Sequence, residues 1–274
     1  MFQKYLVIAS KKDKAGINIV TNLSQFRENP VLSSWGNKPS FDFYLVEEEV
    51  IFTENLNPEK INQYDFIIFA SRHQSEKKEK TLSLHAPGNF RTADFGGEKE
   101  KVCPASALFN KFMFVKLEEN AKKAEIDYKV TLECTHHGPL ISKPCVFIEI
   151  GSTETEWNDR RAGFVLAQTI KQTIEEFTEN KYREIAVGIG GPHYCPGFNK
   201  LQLKSNVAFA HIIPAYVLPL NQSYILESIK KTIEPVDFVV LDWKGLGKAE
   251  QRQQVIDILE ENYIQWKKTS DVTR

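Results

Sequence analysis

The chain has 274 residues, of which 42% are hydrophobic and 26% charged, and a formal net charge of −1. That length buries roughly three quarters of the unfolded surface, so no staples are needed and one large domain or two unequal ones are possible. No stretch approaches the ~18 apolar residues of a membrane span, and near-neutral charge argues against a general polyanion-binding surface while leaving room for a local basic groove.

Residues 1–10 read as a buried strand rather than a signal segment, because Lys11-Lys12-Asp13-Lys14 follows at once with no small-residue cleavage site. A helix is expected over 13–26, with Ile17, Val20, Leu23 and Phe26 on one face and Pro30 closing it. Residues 41–46 and 50–52 read as strands, with an antiparallel piece open as an arrangement for them. The continuous apolar run over 65–70 suits a sheet covered on both faces, and it leads into Ser71-Arg72-His73-Gln74-Ser75.

Residues 71–101 form an irregular functional excursion, with two charged runs enclosing a histidine and three glycines, as an ordered lid or binding loop would. A helix is expected over 105–124, its face marked by Leu108, Phe112, Val115 and Glu119, and then a strand over 128–134. Residues 145–150 read as a strand, and 159–177 as a long helix capped by Thr155 or Asn158. Strand 185–189, a short helix over 201–209, strand 211–217, helix 223–232, strand 238–241 and helix 248–263 follow, with a frayed tail from Lys267. The interleaving indicates one α/β domain over residues 1–274, a mostly parallel or mixed central sheet covered by helices, with a subdomain split left open.

Cys103, Cys134, Cys145 and Cys195 are too irregularly spaced for a disulfide framework and contain no CxxC pair, so a reducing, cytoplasmic setting is expected. Six histidines are more informative. His73, His136, His137 and His193 follow expected strand ends, where open α/β sheets bind ligands; His211 begins a strand and His85 lies in the irregular segment. Glu133-Cys134-Thr135-His136-His137-Gly138-Pro139 puts two imidazoles and a carboxylate between a strand and a turn. Imidazoles beside carboxylates are the materials of a zinc site, but no HExxH or HxH is present. A metal-free use, with a histidine as general base for water or for Thr135 or Ser71, stays open. Both uses imply hydrolysis.

Gly188-Ile189-Gly190-Gly191 lacks the spacing of a nucleotide-binding turn and is either a tight turn or a source of backbone N–H groups for an oxyanion. Lys244, after the strand over 238–241, either meets a phosphate or pairs with Asp242.

Taken together, Ser71-Arg72-His73-x-Ser75, His85-x-x-Gly88-Asn89, Glu133-x-Thr135-His136-His137-Gly138-Pro139, Gly151-Ser152-Thr153-Glu154-x-x-Trp157, Gly191-x-His193-Tyr194 and His211-Ile212-Ile213-Pro214 resemble the D-aminoacyl-tRNA deacylase family of archaeal and plant type. The resemblance runs from the first strand to near the C-terminus. It implies hydrolysis of the ester joining a D-amino acid to the terminal ribose of tRNA, zinc dependence with the number of ions open, and a fold related to peptidyl-tRNA hydrolases and phosphorylases. The partner implied is the tRNA acceptor end charged with a D-amino acid, with no membrane and no obligate protein partner.

On that pattern His73, His85, His136, His137 and His193 are expected to hold zinc. His136, His137, His193, Glu133 and Thr135 are expected to serve the chemistry, with backbone N–H groups near Gly138 or Gly191 stabilising the oxyanion. Ser71, Arg72, Asn89, Gly138, Gly191, Tyr194 and Lys244 are expected at the substrate, and Trp157 either stacks on the terminal adenine or packs at a helix start. A peptidyl-tRNA or nucleoside-directed hydrolase and a non-catalytic tRNA-end binding module are the alternatives.

Overall fold

The structure, a computed structural model, describes residues 2–26, 39–54, 56–180 and 183–272. Pro30 lies outside the described residues. β1 (Lys4–Ser10), β2 (Ser40–Val46) and β3 (Phe66–Gln74) pair in parallel, with β1 between the other two. β6 (Cys145–Ser152) adds in parallel to β3, β4 (Thr81–His85) pairs antiparallel to β6, and β5 (Lys129–Leu132) closes the edge parallel to β4. The six-stranded sheet thus has the order β2-β1-β3-β6-β4-β5 and is mixed. A second, all-parallel sheet runs β10-β9-β7-β8, from β7 (Glu184–Ile189), β8 (Val207–Ile213), β9 (Phe238–Leu241) and β10 (Trp266–Lys268).

The helices that cover the first sheet are amphipathic for local reasons. In α1 (Lys14–Ser24), Ala15, Ile19, Val20 and Leu23 are buried, and Asp13 caps the start by accepting from Gly16 N at 3.0 Å. A Cβ on Gly16 would lie 2.7 Å from the Ala70 carbonyl, so glycine lets this helix sit directly on β3. In α5 (Arg160–Glu176), Ala162, Val165, Leu166, Thr169, Ile170 and Ile174 face the core. Its cap is Asp159, which accepts from Arg161 N at 2.8 Å, rather than Thr155 or Asn158. The sequence of α3 (Ala107–Lys123) buries Phe109, Met113, Phe114, Leu117 and Ala121, leaving Leu108, Phe112 and Val115 half-buried and Glu119 exposed. The expected stripe is therefore the outer one, because α3 contacts both sheets and is buried or half-buried over most of its circumference, Asn110, Lys111 and Asn120 included. The main apolar cluster draws on both sheets, through Val7, Ile68 and Ile148 on one side and Ala186, Phe209 and Val240 on the other.

Several expected elements move. Residues 50–52 form a 3₁₀ turn, and β2 is parallel to β1, so there is no antiparallel piece here among the described residues. The helix placed at 201–209 is α6 (Pro196–Lys204), which starts on the proline favoured at a first helical position. β8 therefore begins at Val207, and His211 lies inside it rather than at its start. Lys267 is paired in β10 instead of fraying. Most consequential, β4 lies within the supposedly irregular excursion. Its Leu82 and Leu84 face the core, while Thr81, Ser83 and His85 alternate to the opposite face and are also buried.

Candidate active site

Period-two alternation turns that opposite face into a site. On β3, Ile67 and Phe69 are followed by Ser71 and His73, and on β6 Cys145 and Phe147 are followed by Glu149 and Gly151. The register pairs Ser71 and Ser83 with Glu149, His73 and Thr81 with Gly151, and His85 with Phe147. One half of the face is thus an apolar cluster of Ile67, Phe69, Cys145 and Phe147, and the other half is buried and polar. Gly151 makes room for it: a Cβ there would lie 2.3 Å from Thr81 Oγ1 and 2.8 Å from His73 Cδ2.

Residues 133–139 leave β5 and cross from the first sheet to the second. Glu133 N–H donates to Leu84 O, Cys134 N–H to His193 O and Thr135 N–H to Ile212 O, each at 2.9 Å. Gly88 N–H donates to His137 O at 2.7 Å, and His137 takes a left-handed φ of 43° just before the cis Gly138–Pro139 bond.

Three imidazoles are oriented alike. His136 Nδ1–H donates to Cys134 O at 2.8 Å, His137 Nδ1–H to Gly138 O at 2.6 Å, and His85 Nδ1–H to Ala86 O at 3.3 Å. That fixes the tautomer that leaves each Nε2 as a lone-pair donor. One ring nitrogen from each lies within 4.8 Å of the others. The buried Nε2 of His85 has no hydrogen-bond partner; the nearest carboxylate oxygen, Glu149 Oε2, is 3.7 Å away. Burial, reinforced by neighbouring imidazoles, holds all three neutral: His85 is lowered to about 4, His137 to about 3, and His136 is pushed well below its usual range. Neutral nitrogens and an orphaned buried donor beside carboxylates fit zinc.

His73 and His193 flank a carboxylate. His193 Nε2 and His73 Nδ1 each lie 3.1 Å from Glu133, on opposite oxygens, and His136 Nε2 is 3.5 Å from the same carboxylate. Burial resists charge on Glu133, but His193 and His73 outweigh it and hold the carboxyl well below its usual range. Burial also opposes charge on His193, yet contacts with Cys134 and Glu133 raise it to about 10. Tyr194 Oη lies 2.8 Å from His73 Nε2, so both nitrogens of His73 face protein partners. Overlapping donor groups, His73 with Glu133 and His193, Cys134 with His136 and His193, and His85 with Glu133 and Glu149, make this one multi-donor centre rather than separate sites.

A cavity of ≈780 Å³ opens onto the centre and is lined by Ser71, Arg72, His73, His136, His137 and His193, with Glu149, Trp157 and Phe95. Arg72 donates to Glu49 at 2.7 Å and lies 5.4 Å from the Trp157 ring, whose Nε1–H donates to His73 O at 3.0 Å. The other expected residues are elsewhere. Thr135 Oγ1 is buried between His211 Nδ1 and Ile212 N, both at 3.2 Å, which ties the loop to β8 and removes it as a nucleophile. Asn89 braces a loop by donating to Gly96 O at 2.8 Å. Gly138 N–H is spent on Phe95 O at 2.9 Å and is no oxyanion donor. Gly191, at φ 82°, makes a tight turn against Asp242, and Lys244 is exposed on the loop after β9, outside the cavity lining. Tyr194 positions His73 instead of lining the cavity.

Two carboxylates escaped sequence reasoning. Glu149 is buried at the centre, where burial and then Glu133 push it well above the usual carboxylate range. Its signal was a lone charge inside an apolar strand. Asp13 accepts Arg72 N–H at 2.8 Å while capping α1, and its signal was only a helix cap.

A family model described as D-aminoacyl-tRNA deacylase matches residues 60–267. The D-aminoacyl-tRNA deacylase of Thermococcus onnurineus is 36% identical over 271 residues, covering 93% of this chain and 96% of the relative. That of Methanocaldococcus jannaschii is 31% identical over 274 residues, covering 97% and 99%. A crystal structure of a conserved protein of unknown function superposes with a TM-score of 0.86 at 31% identity, covering 98% of this chain and 96% of the other. With the histidine blocks converging on one cavity and these relatives matching nearly end to end, the chain belongs to the D-aminoacyl-tRNA deacylase family.

Proposed function

We propose that this chain hydrolyses the ester between a D-amino acid and the terminal ribose of tRNA, at the centre formed by His85, His136, His137, Glu133 and His193, with zinc as its metal. Family membership supports the substrate class, and the observation that carries the chemistry is the common orientation of three neutral imidazoles, each with Nδ1–H on a carbonyl. His85, His136 and His137 would hold the ion, with Glu149 behind His85. Zinc, when bound there, supplies a Lewis acid that lowers the pKa of water and polarises an ester carbonyl.

The remaining work falls to the chain itself. His193 is half-buried on the cavity wall and hydrogen-bonded to Glu133, so it can hold a proton and pass it to the departing ribose oxygen. The buried Glu133 carboxylate stabilises the charge on His193 while it moves a proton, and His73 lies against its other oxygen. Arg72, held by Glu49 and Trp157, presents a cation to the nucleotide end.

The test is release of amino acid from matched D-aminoacyl-, L-aminoacyl- and N-acyl-aminoacyl-tRNAs by enzyme stripped of metal and then reloaded. Turnover of the D-aminoacyl ester alone, lost on stripping and restored by zinc, is expected. Full activity in protein verified free of zinc would overturn the metal assignment, and preference for the N-acyl ester would overturn the substrate.

A further inference from the structure

We infer that the Phe95 ring is the stacking platform for the terminal nucleobase of the tRNA acceptor end. The inference rests on the deacylase reading and names how that site grips its substrate. Phe95 is 67% exposed, yet it lines the same cavity as His136, His137 and His193. Scattered exposed aromatics are ordinary on any surface. Phe95 differs in being held out by a braced loop. Asn89 N–H donates to Lys101 O and its side chain to Gly96 O, both at 2.8 Å, and Gly97 N–H is bound by the Glu54 carboxylate. The Phe95 carbonyl itself accepts from Gly138 N–H, one residue beyond His137.

The turn behind the ring is also fixed. Gly96 and Gly97 have φ of 76° and 79°, and a Cβ on Gly96 would fall 1.8 Å from the Ile51 carbonyl. The backbone that carries this flat apolar ring is therefore fixed at the rim, next to the loop that carries two of the histidines. Inward from it, Ser71 and Glu149 are almost fully buried, which leaves the floor for the amino-acid moiety and the rim for the part that arrives attached to a long polymer. Every base has a π-face that an aromatic side chain can cover, whatever its identity. Of the charged side chains on the same cavity, Arg72, paired with Glu49, and Lys78 are the cations, beside Glu76 and Glu154.

The experiment compares Phe95→Ala and Phe95→Trp with the parent enzyme on a D-aminoacyl-tRNA and on the methyl ester of the same D-amino acid, which has no base. Phe95→Ala should raise KM for the tRNA substrate about 5- to 150-fold, the factor equivalent to about 1–3 kcal/mol of base stacking, and leave kcat within about twofold. Phe95→Trp should restore KM, and the methyl ester should not distinguish the three proteins. An unchanged KM for tRNA in Phe95→Ala, or an equal loss on the methyl ester, overturns the platform. Fluorescence anisotropy with a labelled CCA trinucleotide gives a reading independent of turnover: weakened binding by Phe95→Ala supports the platform and unchanged binding overturns it, whether or not the D-aminoacyl ester is cleaved. Absence of cleavage by the parent enzyme would instead count against the deacylase reading.

Discussion

At the scale of single residues, the centre is organised by what occupies the second nitrogen of each imidazole. His85, His136 and His137 each spend Nδ1–H on a carbonyl, whereas His73 is engaged at both nitrogens by Tyr194 and Glu133. The two kinds should respond differently to substitution. His136→Ala should lower the zinc bound per chain and abolish turnover. Tyr194→Phe should keep its zinc and lose only about 2- to 10-fold in kcat, the scale of one hydrogen bond, as read by metal analysis beside steady-state kinetics. A zinc loss in Tyr194→Phe would mean that His73 is itself a ligand. The histidines of residues 133–139 were legible in the sequence because polar chemistry stood between a strand and a Gly-Pro turn. Glu149 was not, since only the register of β3, β6 and β4 shows that its strand position faces histidines instead of the core.

Among the elements, strands with apolar runs and helices with clean stripes were readable, as β1, β9 and α5 show. β4 was not, because the five residues Thr-Leu-Ser-Leu-His stand between a charged run and a Pro-Gly turn and read as part of an irregular excursion, although both of their faces are buried. Its polar side chains are inside because they lie beside the buried centre, Ser83 against Glu149 and Thr81 against Gly151: the Thr81 and Ser83 hydroxyls and His85 Nε2 have no hydrogen-bond partner. The same crowding makes Gly151 a sensitive position. Gly151→Ala would drive a methyl into Thr81 and His73, so a loss of about 1–3 kcal/mol in urea denaturation is expected, together with weaker zinc retention. Retained stability and retained zinc would show that the strands can part cheaply. The cap of α5 is simpler. Asp159→Ala removes the cap and the partner of Tyr128 Oη at 2.9 Å, so it should cost about 1–2 kcal/mol and leave turnover unchanged, since Asp159 itself does not line the cavity.

The whole molecule is two sheets joined through α3, an arrangement that a linear pattern of strands and helices does not specify. Lys111 on α3 is the polar tie. It is buried, and its ammonium donates to the carbonyls of Gln202, Ser205 and Val207 at the end of α6 and the start of β8. Burial, then Arg183, lowers its pKa from 10.5 to about 7. Between those values the unfolded chain binds more protons than the folded one, so this group makes stability rise with pH across that window. Lys111→Met should flatten that rise between about pH 7 and 10, measured as the difference in urea midpoint between the two proteins. An identical pH slope in both would locate the proton elsewhere.

The crossing loop also sets an order of assembly. His85, His136 and His137 all precede β6, as do Leu84 and Phe95, whose carbonyls hold the two ends of the loop; but the carbonyls that tie Cys134 and Thr135 belong to His193 and Ile212, which a ribosome delivers some sixty to eighty residues later. A nascent chain therefore carries its donors early, tied only at the ends of the loop, and completes the ties of the centre when β8 docks. If the centre holds zinc as proposed, its uptake should follow the second sheet into place rather than nucleate the first.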